Sequence, residues 1–210
     1  MPVTRPAGDT GEADPAVAAA LAAYAAGEAA EHAVLTAVAA SRLLVPVVAV
    51  LAEANADGTE KETEMALPTL IGNDGRKAVI AFTGTDTVKR WRADARPVPV
   101  PAASLWPAVA AERADAVVID VAGPVPLVIE GARLRALANG EPPPLPHEDP
   151  DIRAQVAAVT GNFALAPGGQ DAELTITLRA TDPEGARAAA QEIAARLAPR
   201  LRKGIALRLG

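Results

Sequence analysis

The chain has no cysteine, and aromatic residues make up only 2% of it. The first absence excludes disulfides, thiol catalysis and zinc–thiolate sites, and it fits a reducing compartment. The second removes the stacking platforms on which single-stranded bases are read. An excess of positive charge is lacking too. The formal net charge is −6, whereas neutralising phosphates needs a basic face, so a nucleic-acid partner is not expected. The longest apolar run, Leu43 to Ala52, is too short to span a bilayer and contains Pro46. Met1 to Ala13 carries acidic residues, prolines and glycines instead of a basic start and an apolar run. No membrane is expected, and the expected location is the cytoplasm.

What is present is an Ala-, Pro- and Gly-rich chain of 210 residues, enough for one ordinary domain and a smaller one. Residues 1–13 are small and polar and are expected to be disordered. Three Asp-Pro pairs, at Asp14, Asp149 and Asp182, each read as a helix start, since Asp caps the first N–H groups and Pro fits the first helical position. Arg42 to Glu53 is β-branched and continuous, a buried strand that Pro46 confines to an edge or a bulge. A strand running to Ile71 meets Asn73-Asp74-Gly75, whose residues tolerate a tight hairpin turn, and Lys77 to Phe82 returns as its partner. Thr83-Gly84-Thr85-Asp86 opens a helix, with either threonine as its cap.

Pro97 to Pro101 reads as an extended spacer. Pro107 is placed in the first turn of the following helix, where proline is tolerated. Ala116 to Val121 is a second buried strand, and Leu127 to Ile129 a short one. Residues 141–150, EPPPLPHEDP, form a stiff linker. Beyond it a short helix, a strand, the alternating Leu174, Ile176 and Leu178, a long helix and the alternating Ile205, Leu207 and Leu209 make a ββαβ order. The expected fold class is α+β. Residues 14–140 would hold a mixed or antiparallel sheet with packed helices, and residues 151–210 a small α+β module with an antiparallel sheet.

The segments LLVPVVA (43–49) and AFTGTDTVKRW (81–91), with EMALPTL before and AVVIDVAGPVPLVIEGARLRAL after, resemble the amino-terminal domain of the SseB family. The resemblance spans Ala16 to Leu137, and the region after the linker is similar in layout to the family's carboxy-terminal domain. It implies an intracellular α+β protein of a family named for an effect on serine sensitivity, with no established enzymatic activity. Where the family often carries Asn-Pro after the strand, this chain reads Asp120-Val121, so the chemistry of that turn differs.

No catalytic constellation is legible. His32 sits on an alanine-rich helix, and His147 lies in the linker beside Glu148 and Asp149, too close in sequence to converge on one ion. Ser41 and Ser104 are the only serines, and neither lies in a nucleophile elbow. Gly72 to Gly75 leads into a strand and lacks the Lys-Ser/Thr ending of a phosphate loop. Glu60, Glu62 and Glu64 read as a solvated strand edge. Lys89, Arg90 and Arg92 read as charges at a helix end, and so do Arg200, Arg202 and Lys203. Trp91 and Trp106 read as core anchors, and with Asp120 they are the candidate partner-contacting residues. No catalytic, cofactor or metal site is expected. The expected function is a non-enzymatic binding or regulatory protein that engages another protein through a sheet edge or an inter-domain groove. The alternative is an amino-acid sensor acting through a homodimeric second module.

Overall fold

A computed structural model describes residues 10–47, 69–179 and 182–210. The Glu60, Glu62 and Glu64 edge lies outside them. The chain is α+β, and its buried apolar residues form three clusters, a large one drawn from residues 17–137, a smaller one around Leu44, Ile80, Phe82 and Val88 in the same region, and one drawn from residues 152–201. These two regions are called here the first and second modules.

All three Asp-Pro pairs start helices. Asp14 accepts the Ala16 N–H at the head of α1 (Pro15–Ala25), Asp149 that of Asp151 at the head of α6 (Pro150–Ala157), and Asp182 those of Glu184 and Gly185 at the head of α7 (Pro183–Leu197). Helix α2 (Glu31–Ala39) buries Val34, Leu35 and Val38 on one face. Gly11, in the segment expected to be disordered, is buried, and its carbonyl accepts the Thr85 N–H.

The four-stranded sheet runs β2 (Thr69–Ile71), β3 (Lys77–Ala81), β5 (Ala116–Ile119), β6 (Leu127–Glu130). Its central pair, β3 and β5, is parallel and its outer pairs are antiparallel, so the sheet is mixed. The hairpin turn lies where the Asn-Asp-Gly pattern places it, with Gly75 at φ 80°.

The expected Pro-Val spacer is instead a strand, β4 (Arg96–Pro101), paired antiparallel with β1 (Arg42–Val47). Both backbone groups of Leu44 are taken by Phe82, so Leu43 and Val45 face β4 and meet Val100 and Val98. Pro97, Pro99 and Pro101 therefore stand at the positions whose N–H would point away from β1. The alternation puts every missing donor on the outer edge, where it costs no ladder bond and gives a foreign strand nothing to accept from. Pro46 also faces away from β4, as its edge assignment requires.

Helix α3 (Thr85–Trp91) follows β3, and α4 (Ala102–Ala111) and α5 (Gly131–Ala138) pack against each other. Pro107 lies inside α4, past its first turn. Its ring removes the N–H that would serve the Ala103 carbonyl. In the second module β7 (Phe163–Pro167) and β8 (Leu174–Leu178) are antiparallel, but β9 (Ile205–Leu209) joins β8 in parallel. The expected antiparallel sheet is thus mixed. Helix α7 is a crossover that returns the chain to the same end of the sheet, so the next strand runs the same way.

Candidate functional site

The three sequence-predicted contact residues do not converge. Trp106 is buried in the first core, although its edge lines an apolar groove of ≈580 Å³ with Thr36, Ala39, Pro107, Leu137 and Pro142. Trp91 is half-buried and packs on Phe82, with ring centroids 5.5 Å apart. Asp120 is buried in the turn after β5, at φ 52°. Its carboxylate accepts the Thr83 N–H at 2.9 Å and the Thr83 hydroxyl at 2.7 Å.

That contact revises the reading of the Thr-Gly-Thr segment. Neither threonine caps α3 with its side chain, because Gly84 is the N-cap and the Thr83 side chain is turned to Asp120. The Thr85 N–H is taken by Gly11. The Thr83–Asp120 bonds tie the end of β3 to the end of β5, and the Thr85 bond ties the start of α3 to the segment before α1. Asp and Asn tolerate positive φ better than other side chains, so the departure to Asp120-Val121 supplies both a permissible backbone and an acceptor.

The strongest concentration of buried charge lies in the seam between the modules. Glu31, at the start of α2, accepts from Arg133 of α5 and from Arg200, which follows α7. Arg200 also donates to Asp149 at 2.7 Å. Glu173 accepts the Glu31 N–H at 3.0 Å and the Lys203 N–H at 3.1 Å. Tyr24 donates to the Arg200 carbonyl at 2.8 Å, and the Arg202 guanidinium stands 4.9 Å above its ring. Glu31, Arg133, Asp149 and Glu173 are all buried.

Arg133 also links the seam to a sheet edge, donating to the Val128 carbonyl of β6 at 3.3 Å. Asp151, on α6, accepts the Ala132 N–H at 2.6 Å and so serves the start of α5, which has no side-chain cap of its own. The approach is close: a Cβ at Gly131 would lie 2.0 Å from Asp151 Oδ2, and Gly131 holds φ 59°. Only glycine fits there.

Electrostatics follow from this packing. Burial lowers the Arg133 pKa, with Glu31 opposing the shift. Burial works against the charge of Arg200 as well, but Glu31 and Asp149 outweigh it and raise the pKa. Burial raises that of Glu173, against the two backbone N–H groups it accepts. Tyr24 is pushed up to about 12, first by burial and then by the Glu31 carboxylate. Taking paired cations and anions out of water costs desolvation that their attraction only partly repays, so such pairs add little net stability.

Two grooves of ≈360 and ≈370 Å³ adjoin the network and share Arg76, Glu130, Arg133 and Arg200. The first continues over Asp151 and Gln155. Arg76 is exposed and bridges Asp74 and Glu130, each at 2.6 Å. The groove thus presents both signs of charge from both modules. Such a surface suits a polar partner that carries both signs. Among the described residues no three His, Cys, Asp or Glu side chains gather as a metal site. His147 and Glu148 stay 3.7 Å apart while Asp149 turns to Arg200. Among those residues no helix is long and apolar enough to cross a membrane.

Sequence reasoning missed this network. Arg200, Arg202 and Lys203 read as charges following a helix, whereas Arg200 is the ion-pair centre of the seam. One signal was available: Glu31 lies on the face of α2 that carries Val34, Leu35 and Val38, an apolar face on which a carboxylate needs a partner.

The family model for the SseB protein N-terminal domain matches residues 17–136. No curated protein and no solved structure matches the chain. The family match ends short of the linker, so it covers Glu31 and Arg133 but not Asp149, Glu173 or Arg200.

Proposed function

The chain belongs to the family defined by the SseB N-terminal domain, and from that premise we propose that it is a non-enzymatic binding or regulatory protein of the cytoplasm. It engages another protein with the groove that its two modules build together. The buried network of Glu31, Arg133, Arg200 and Asp149 carries this reading, because it sets one relative orientation of the modules and lines the groove with both. A rigid surface with alternating arginines and carboxylates suits the polar rim of a protein partner, where charge complementarity selects and steers.

Ala154→Trp tests the reading, because Ala154 lines the groove without belonging to the network. The full chain is used as bait in the native cell. A protein captured by the wild-type chain and lost with the tryptophan variant, at equal melting temperature, is expected. Saturable turnover of a small substrate by the purified chain, unchanged by the variant, would refute it.

A second reading rests on the same mixed charge. A zwitterion such as a free amino acid offers a carboxylate to the arginines and an ammonium to Glu130 or Asp151. A ligand that binds the folded state raises its stability, so melting curves with millimolar amino acids separate the two.

A further inference from the structure

Edges of the described sheets are closed in different ways at β4, β6 and β7. Three prolines blunt β4. At β6 the Arg133 side chain takes the Val128 carbonyl. Pro167 closes the end of β7. Strand β9 has none of these devices, and it is the terminal strand of its sheet.

Its parity makes it self-complementary. The Gly204 carbonyl and the Gly210 N–H both turn to β8, accepting from Glu173 and donating to Leu178. Alternate residues of a strand turn their groups to opposite sides, so Ile205, Leu207 and Leu209 direct N–H and C=O outward. The register pairs Leu207 with Ile176 and Leu209 with Leu178, so both leucines lie on the face that carries the second core. They are nevertheless 37% and 62% exposed, because that face runs out at β9.

We infer that β9 pairs antiparallel with β9 of a second copy, centred on Leu207, and joins the two sheets into one. In that register the outward groups of Leu207 exchange bonds with their own symmetry mates, and Ile205 meets Leu209 of the second copy. The apolar side chains meet on one face. Arg208, the only charge on the strand, falls opposite Ala206, so no like charges face each other. The contact is isologous, with the same patch on both copies. It is the contact a dimeric second module needs, and it uses no residue of the groove, so its failure leaves the groove reading untouched.

The absence of cysteine makes the register testable in the full chain. Leu207→Cys places two thiols at the two-fold axis, where facing Cα atoms of a bonded antiparallel pair lie ~5.5 Å apart, within disulfide reach. Leu209→Cys places them four residues out of step, ~13 Å apart along the strands. Under mild oxidation Leu207→Cys forms a covalent dimer, and Leu209→Cys crosslinks at least ~10-fold more slowly, as does the exposed linker control Leu145→Cys. Sedimentation velocity over a concentration series shows a reversible dimer for the wild-type chain. Leu207→Pro abolishes it and melts like the wild-type chain at concentrations too low to dimerise, since the N–H it removes faces away from β8. A monomer at every concentration overturns the inference, and so do equal crosslinking rates for the three cysteine variants.

Discussion

The interior of the first module and the seam between the modules both exclude water, but they are held in opposite ways. In the interior Val34, Leu35, Val79, Val117 and Ile119 belong to one apolar cluster, which also takes the rings of Tyr24 and Trp106. In the seam Glu31, Arg133, Arg200, Asp149 and Glu173 meet through directed bonds. An apolar interior tolerates exchange of one hydrophobic side chain for another of like volume. A seam of paired charges tolerates no single loss, because the partner stays behind buried and uncompensated. The difference separates two jobs. Apolar packing supplies stability, and the charged seam supplies the one orientation in which the groove exists.

Breaking the seam on one side is the most damaging test. Arg133→Met leaves Glu31 with half its cationic partners, and unfolding stability should fall by about 3–5 kcal/mol in urea titrations. The double variant Glu31→Met/Arg133→Met leaves Arg200 with Asp149 and should recover most of that loss. Additive losses in the cycle would show that the pair is not coupled.

Tyr24 reads the seam spectroscopically, since it is the only tyrosine. Its phenol should ionise near pH 12 in the folded chain and near its ordinary value of 10.0 in denaturant, followed by tyrosinate absorbance. A raised folded pKa means that this contribution to stability is complete below the unfolded value. It is lost as pH climbs from 10.0 towards about 12. The wild-type melting temperature should therefore fall more steeply across that window than that of Tyr24→Phe. Equal slopes would place the hydroxyl in water.

Asp120→Ala strands the buried Thr83 N–H and hydroxyl and should cost about 2 kcal/mol, between the seam and the packing variants. In the interior Ile119→Val removes one buried methyl group and should cost about 1 kcal/mol. Gly75→Val should cost about 1 kcal/mol as well, and only through its positive φ, since a Cβ there meets nothing within 4 Å. A melting temperature unchanged by Gly75→Val would contradict the hairpin.

The features legible in the sequence are those that short stretches of chain decide. Each Asp-Pro pair caps its own helix, and Asn73-Asp74-Gly75 turns within itself, so neighbouring residues carry the whole signal. Strand β4 was misread because its prolines lack donors. Only pairing with β1 reveals that all three lack them on the free side. The crossover helix α7 was legible, but the parallel direction of β9 depends on the path of the chain between strands, which a local pattern does not encode. Of the candidate contact residues, Trp106 was legible as a core anchor. The seam was hidden because its members are drawn from residues 31, 133, 149, 173 and 200, and no local periodicity links them.

The hydrogen bond from Ala132 to Asp151 has a consequence for how the chain can be divided. Helix α5 lies within the first module, yet its opening turn is completed by a carboxylate from the second, and Glu31 draws one of its two cations from there. A fragment ending with the family match at residue 136 would carry an uncapped helix and an under-neutralised buried carboxylate. The segment that heredity copies as a recognisable block therefore lacks partners that two of its own groups use. Cutting the gene at the family boundary is expected to give a fragment that melts below the full chain.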